Sequence, residues 1–467
     1  MVYDFLHSKD SSHEEAVMKG RRNGYEVVDI VSLGAVGDGL HDNSKVFEQA
    51  FSKENVHVKV PKGMWLTGPI TLRSNTVLEL EEGSVVIFID DPNLYEPVYS
   101  RWEGVRCWCM HPCVYSQDSS NVAVIGKGIL DGNGRSWWEA AVDKKRRNAS
   151  PETAMELRLA ELNMGYENQP GGGGGRRSQY LRPPLIQFNN CTNVELRDVF
   201  ITNSPCWTVH PVFCTGVDII GVKISNPSDS PNTDAIDVDS CENVRIFECA
   251  ISVGDDAICL KSGNGQDGVD AARPTRNVVV EGCYVRNAHG GAVIGSETAA
   301  GIKDVVFRNC TFEGTDRGVR IKTRRGRGGV VEDLLFTDIK VDSCLCPITF
   351  NMYYKCGTDE EWPFSLEPMP VDSVTPSIRN VTIEDVKAVD CRSSAGFVVG
   401  LPESPISNVV VRDCSFQVSQ DGGADTDEAE MFRGLPHVEG RGIRVLNADV
   451  RFENVEVVGV EEPFVYE

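Results

Sequence analysis

NVRIFECAISVG, residues 243–254, is preceded by GVDIIGVKISNP at 216–227 and followed by NVVVEGCYVRNA at 277–288. Each phrase opens on Asn or Gly, runs through a few mainly apolar residues, breaks at a short turn and resumes with a second short apolar run. The same phrase is legible from Asn121 (NVAVIGKGILDG), Asn193 (NVELRDVFITNS), Asp304 (DVVFRNCTFEG) and Asp333 (DLLFTDIKVDSC). It returns from Asn380 (NVTIEDVKAVDC), Asn408 (NVVVRDCSFQVS) and Asp449 (DVRFENVEVVGV). Between Asn193 and Asp333 successive starts lie 23, 27, 34, 27 and 29 residues apart. Short strands at that period predict a coiled, all-β solenoid. A leucine-rich repeat would need a fixed Leu/Asn framework that is absent, and a propeller blade needs about 40 residues. One coil cannot bury its own apolar side, so neighbouring coils must stack, strand upon strand, about 4.8 Å apart. The longer gaps before Asn380 and Asp449 predict loops that bulge from the stack.

Working outward, VHVKVPKGMWLTG (56–68) and NTVLELEEGSVVIF (75–88) carry the partial alternation of strands toward the N-terminus. SKVFEQAFSK (44–53) places Val46, Phe47, Ala50 and Phe51 at helical spacing. The glycine-rich turn before it, SLGAVGDGLHDN, lacks the fingerprint spacing of a nucleotide-binding loop. Residues 1–30 read as a polar extension, with a short helix at Glu14–Lys19 expected to cap the first coil. Residues 138–184 break the repeat: WEAAVDKKRRN and PETAMELRLAEL are helical in pattern, and Gly171–Gly175 reads as a flexible run. This is expected to be an insertion on the solenoid, within a single domain spanning 1–467.

The net charge is −23, which excludes a general nucleic-acid binder, since that needs a basic surface. No apolar run is long enough to cross a bilayer or to serve as a secretory signal, so neither a membrane partner nor export is expected and the location reads as cytoplasmic. The 16 cysteines are scattered, many inside strand-like runs, and read as reduced, buried small hydrophobes. Cys107/Cys109 and Cys344/Cys346 have CxC spacing, not the CxxC of structural zinc, and no metal or cofactor is expected. The oligomeric state is left open.

Chemistry concentrates in the coils between 216 and 330. Asn232-Thr233-Asp234, Gly254-Asp255-Asp256, His289-Gly290-Gly291 and Arg320-Ile321-Lys322 follow one another at roughly the coil period. Stacking would bring Asp234, Asp255, Asp256, His289, Arg320 and Lys322 into one line, roughly 15 Å long over four coils. Clustered carboxylates repel, so one is expected to hold a proton as a general acid while another, ionised, activates water, the pairing that glycoside hydrolysis requires. Each motif alone has a plainer reading: aspartates cap turns, and a basic run is ordinarily solvated. Arg320, Lys322, Arg324, Arg325 and Arg327 nonetheless concentrate positive charge in an acidic chain, and Arg320 offers a fork suited to a carboxylate, which points to an anionic substrate.

NTD (232–234), GDDAICLKSG (254–263), AHGGAVIGSE (288–297) and RGVRIKT (317–323) closely resemble the four motifs of the polygalacturonase family of glycoside hydrolases, and the resemblance runs from about Leu33 to Asp413. It implies a right-handed parallel β-helix and inverting hydrolysis of α-1,4-galacturonan. By the same resemblance Asp255 is the general acid, Asp234 and Asp256 position and deprotonate water, His289 tunes the acid, and Arg320 and Lys322 bind the substrate carboxylate. Tyr354 matches the family's tyrosine near the sugar, with Tyr353 beside it; AHGG departs from the common GHG but keeps the His-Gly pair. LTGPITL, RWEG, YLRPP and SPCWTVHPV resemble the bacterial exo-acting branch, whose loops close one end of the groove. Trp102, Glu103, Arg182, Trp207 and His210 are then candidates for holding the terminal sugar. An enzyme without an export signal would meet imported oligogalacturonides rather than polymeric pectin, which agrees with exo action. The alternatives are a hydrolase for another uronide glycan such as rhamnogalacturonan or xylogalacturonan, a pectate lyase, and a non-catalytic solenoid adhesin.

Overall fold

The computed structural model describes residues 24–169, 175–420, 424–425 and 429–467. The expected cap helix at 14–19, and Gly171–Gly174 of the glycine run, lie outside them. The chain winds as a right-handed parallel β-helix. A 12-stranded parallel sheet runs in strict chain order from Ile70–Leu72 to Phe464–Tyr466. The remaining coil strands form a 21-stranded sheet to which early coils give two strands each, such as Glu242–Phe247 and Ala250–Ser252. From Ile302–Glu313 onward the two fuse into single strands of up to 15 residues, as in Ser377–Cys391.

The repeated phrase marks one corner of each coil. Asn121, Asn193, Asn243, Asn277, Asn380 and Asn408 all adopt φ between 53° and 59°, a left-handed conformation that asparagine tolerates because its short side chain bonds locally. Their amides form a ladder: Asn193 donates to Asn121, Asn277 to Asn243 and Asn408 to Asn380. Gly216 occupies the same corner at φ 73°, where it contributes no rung.

Inside the coil, aliphatic rows such as Ile236, Ile258, Ala292, Val319 and Ile348 are fully buried, and Phe307 stacks on Phe336 with centroids 5.5 Å apart. The cysteines are all free, and all but Cys356 are buried. The sequence places its helices well: Ser44–Ala50, Arg135–Arg147 and Ala154–Leu162 are α-helical. The last carries a capping box between Thr153 and Glu156. The gap before Asn380 is a loop, 352–376, and in the gap before Asp449 the described residues around Glu430 bond to Thr349 and Asn351 beside the 12-stranded sheet. None of the helices among the described residues is long and apolar enough to cross a membrane.

Candidate active site

The strands of the 12-stranded sheet that carry the four motifs are Ile236–Asp239, Asp256–Lys261, Gly290–Gly295 and Arg317–Lys322. Ile236 pairs with Ile258, Asp256 with Gly290 and Ala292 with Val319. Asp234 therefore sits one coil before Asp256, whose carbonyl accepts from Ala235 N, and Asp255 sits one coil before His289, whose N–H bonds to the Asp255 carbonyl. Gly291 is required here because a Cβ would lie 2.5 Å from the Phe312 ring.

Stacking alone does not bring in the cations, and the expected single line is corrected at this point. Register puts Arg317 beneath Gly290; Arg320 and Lys322 sit three and five residues further along and reach back with their long side chains. Arg320 Nη1 lies 3.0 Å from Asp256 Oδ1, and Lys322 Nζ lies 2.5 Å from Asp256 Oδ2. Both cations are buried against Tyr354, at 5.5 and 5.3 Å from its ring. Burial pushes the Tyr354 phenol up to about 12. The Tyr353 side chain turns away, its hydroxyl donating to the Ser365 carbonyl and its ring facing Arg325, so of the adjacent pair Tyr354 faces the site.

One oxygen each from Asp234, Asp255 and Asp256 lies within 4.8 Å of the others. Such a trio has the spacing to hold a divalent cation, but both oxygens of Asp256 are already taken by cationic side chains. Burial opposes the charge of Asp256, yet Lys322 and Arg320 outweigh it and hold its carboxyl far below the usual range. Asp234 is buried without such partners; burial first and the Asp255 charge second raise its pKa well above the ordinary value. Its Oδ1 has no hydrogen-bond partner. Asp255, with a side chain 22% exposed, is the more open carboxylate. Burial works against its ionisation, but the His289 hydrogen bond and the nearby cations win, and its pKa is lowered. Of the three carboxyls, burial and the Asp255 charge therefore make Asp234 the one that favours a proton.

The five loop candidates divide. The Trp102 indole donates to the Arg182 carbonyl, and the Arg182 guanidinium is spent on the Pro205 and Pro231 carbonyls and on Asn232 Oδ1, fixing the turn that carries Asp234. Glu103, at φ 44°, shapes the tip of a β-hairpin, Val98–Trp102 and Val105–Cys109. Trp207 covers the ammonium of Lys261 at 4.6 Å. His210 is 1% exposed, bonded to Gln187 and 3.7 Å from Asp239, and has no surface to offer a ligand.

The hairpin is a roof over the coils that carry Gln187, Asp239 and Asn264. Arg101, fully buried, donates from one nitrogen to both Asp239 and Ser240, while Ser100 bonds Gln187 and Gly104 O accepts from Asn264 N. Beyond the cations a second roof closes down. Met431 Sδ contacts Arg320, Glu430 bonds Thr349 and Asn351, and Tyr354 bridges to Phe432. The carboxylates lie between two covers. Sequence reasoning missed Arg101, Asp239, Lys261 and Glu297, and read Arg327 only as part of a basic run. The one available signal was outward alternation in IDVD and AICLK, which sets Asp237, Asp239 and Lys261 on the site face.

A β-helix presenting clustered carboxylates beside buried cations has the groups that hydrolysis of an anionic glycan requires. Residues 164–423 match the model of glycosyl hydrolases family 28, and the chain belongs to that family. A probable polygalacturonase from Vitis vinifera is 26% identical over 404 residues, covering 84% of this chain and 74% of the relative. An exo-poly-α-D-galacturonosidase from Dickeya chrysanthemi is 25% identical over 77% of this chain and 62% of its own. The crystal structure of a hyperthermoactive exopolygalacturonase from Thermotoga maritima superimposes with TM-score 0.77 at 28% identity, over 96% of this chain and 97% of that one.

Proposed function

We propose that this enzyme hydrolyses α-1,4-galacturonosyl bonds of pectic oligo- and polygalacturonate, releasing galacturonate from the chain end. The observation that carries the reading is the placement of Asp234 and Asp255 beside the Arg320–Asp256–Lys322 cluster. Two cations on one ionised carboxylate leave one positive charge to meet a uronate, directly beside groups able to give and take a proton. The hairpin at 98–109 and the 430–432 segment, both bonded onto the site face, support exo action. The Dickeya and Thermotoga relatives, both named as exo-acting, support it as well.

In this mechanism Asp255 protonates the glycosidic oxygen while Asp234 and Asp256 orient and deprotonate water. Those roles need the proton on Asp255, whereas the free site favours it on Asp234. An incoming uronate supplies the change: it neutralises the cations that hold Asp255 ionised and raises the affinity of that group for a proton. Oxygens within 4.8 Å allow the transfer through one water. Inversion rests on family likeness, because this nearest-oxygen spacing is tighter than the roughly 6.5–9.5 Å between carboxyl groups of typical inverting enzymes. Digestion of trigalacturonate and polygalacturonate, with products separated and the first-formed anomer read by proton NMR, tests both parts. Monomer release with the β-anomer is expected; a ladder of internal fragments would overturn exo action, and the α-anomer would overturn inversion.

A further inference from the structure

The Arg320 fork carries a sulfur atom on one of its tines. Nη1 donates to Asp256, while Nη2 lies 3.2 Å from Met431 Sδ. The guanidinium is buried and faces the Tyr354 ring, so it has little freedom to turn toward another group. Among the described residues Asp256 and Met431 are its hydrogen-bond partners. Met431 itself is half-buried, unlike Met110, Met155 and Met352, which are sealed inside the fold. A molecule the size of a peroxide can reach it.

The sulfur is placed by anchors on both sides of it. Before it, Glu430 accepts from Thr349 through its carboxylate and from Asn351 through its carbonyl. After it, Phe432 stacks on Phe397 with centroids 5.5 Å apart and bridges to Tyr354, and Arg433 N donates to the Tyr353 carbonyl. The Met431 carbonyl accepts from Lys355 N. A thioether is a weak acceptor, so it can steady Nη2 and still yield it to a carboxylate, whose charge-assisted bond is stronger. Oxidation reverses that order of preference. The sulfoxide presents a polar oxygen where the sulfur was, and this oxygen competes with an incoming carboxylate for the same nitrogen.

We propose that Met431 is a redox modification site acting on the substrate-binding arginine: its sulfoxide caps Arg320 Nη2 and weakens binding of the uronide, and reduction restores it. In the forward step one oxygen atom passes from hydrogen peroxide to sulfur. The O–O bond breaks, an S–O bond forms, the sulfur gives up two electrons and water leaves. In the reverse step a methionine sulfoxide reductase uses two thiols, which become a disulfide, and the oxygen departs as water. The effect on activity rests on the reading of Arg320 as a uronate-binding group.

Wild type and Met431→Leu are each exposed to hydrogen peroxide, oxidised methionines are located by peptide mass spectrometry, and kcat and KM on trigalacturonate are measured before and after. Met64 and Met164 are exposed and oxidise in both proteins, so the variant controls for them. Wild-type KM should rise about tenfold or more as the Met431 peptide gains one oxygen, with kcat changed by less than about threefold. Methionine sulfoxide reductases with dithiothreitol should return KM to its starting value. Met431→Leu should keep its own untreated KM through the same exposure. Met431→Gln, which presents a polar oxygen without any oxidant, should begin with the raised KM. A Met431 that stays unmodified while Met64 and Met164 oxidise would overturn the proposal. So would a KM unmoved once Met431 is oxidised, or a Leu variant that loses as much as wild type. An untreated wild-type enzyme that releases no galacturonate from trigalacturonate would instead overturn the functional reading.

Discussion

His289 Nδ1 lies 3.2 Å from Asp255 Oδ1, and the His289 backbone N–H bonds the Asp255 carbonyl one coil below. The contact lowers the aspartate and raises the histidine above its ordinary 6.5. A raised histidine stabilises the fold fully below 6.5, and the contribution is lost as pH rises through the raised value. His289→Gln should therefore unfold at lower temperature than wild type in mildly acidic buffer and match it in alkali. Its kcat should fall by about 10²–10⁴, and the alkaline limb of the wild-type pH–rate profile should disappear. With its side chain 46% exposed, the histidine's effect on stability is small and its effect on turnover large. A variant with an unchanged alkaline limb would remove His289 from the proton chemistry.

Asp255→Asn should fold as wild type, by circular dichroism and melting, with kcat reduced by about 10³-fold or more, while trigalacturonate still binds in calorimetry. Substantial turnover by this variant would reassign the acid.

The repeat phrase was legible because Asn121, Asn193 and Asn243 occupy corners whose positive φ the sequence must encode locally. The carboxylate motifs were legible for a related reason: stacking by one coil converts sequence period directly into proximity. The strands of the site face were harder to see. Gly290–Gly295 and Arg317–Lys322 are buried at every residue, since roofs and ion pairs cover their outer side, and alternation of apolar and polar residues is lost. What escaped altogether are contacts made by reach. Arg101 meets Asp239 across 138 residues, and Arg320 crosses three register positions to find Asp256; side-chain length and loop folding set both.

Asp256 is the deepest charged group of the site, and its lowered pKa fixes a sign. A depressed carboxylate contributes stability above its unfolded value of 3.8, and the contribution is lost as pH falls through the folded value. Asp256→Asn leaves Arg320 and Lys322 buried without their counter-charge and should cost about 3–5 kcal/mol at neutral pH. Urea melts should show the difference from wild type narrowing as the buffer is acidified below 3.8. A difference independent of pH would mean that packing, not charge, is lost.

Arg101→Met removes the counter-charge of Asp239, which Arg101 holds below the usual range against its burial. The cost should be about 3–5 kcal/mol, and the hairpin should loosen from the coils beneath it. If the hairpin ends the groove, this variant should release di- and oligogalacturonides from polygalacturonate alongside monomer. A product pattern unchanged in a folded variant would show that the roof does not limit the substrate.

Asp234 makes the opposite stability prediction. Its raised pKa means that the folded protein favours a protonated group; stability from it is complete below 3.8 and declines as pH rises toward the folded value. An amide carries no charge to bury and can occupy the same volume, so Asp234→Asn should gain about 1–2 kcal/mol at neutral to alkaline pH. The gain should vanish below 3.8. The variant should also be inactive, because an amide cannot take a proton from water. Melting curves across that pH range, together with turnover on trigalacturonate, separate the two effects. A variant less stable than wild type at neutral pH would mean that Asp234 is ionised and paired there, and the proton would then have to be sought on Asp255 before the substrate arrives.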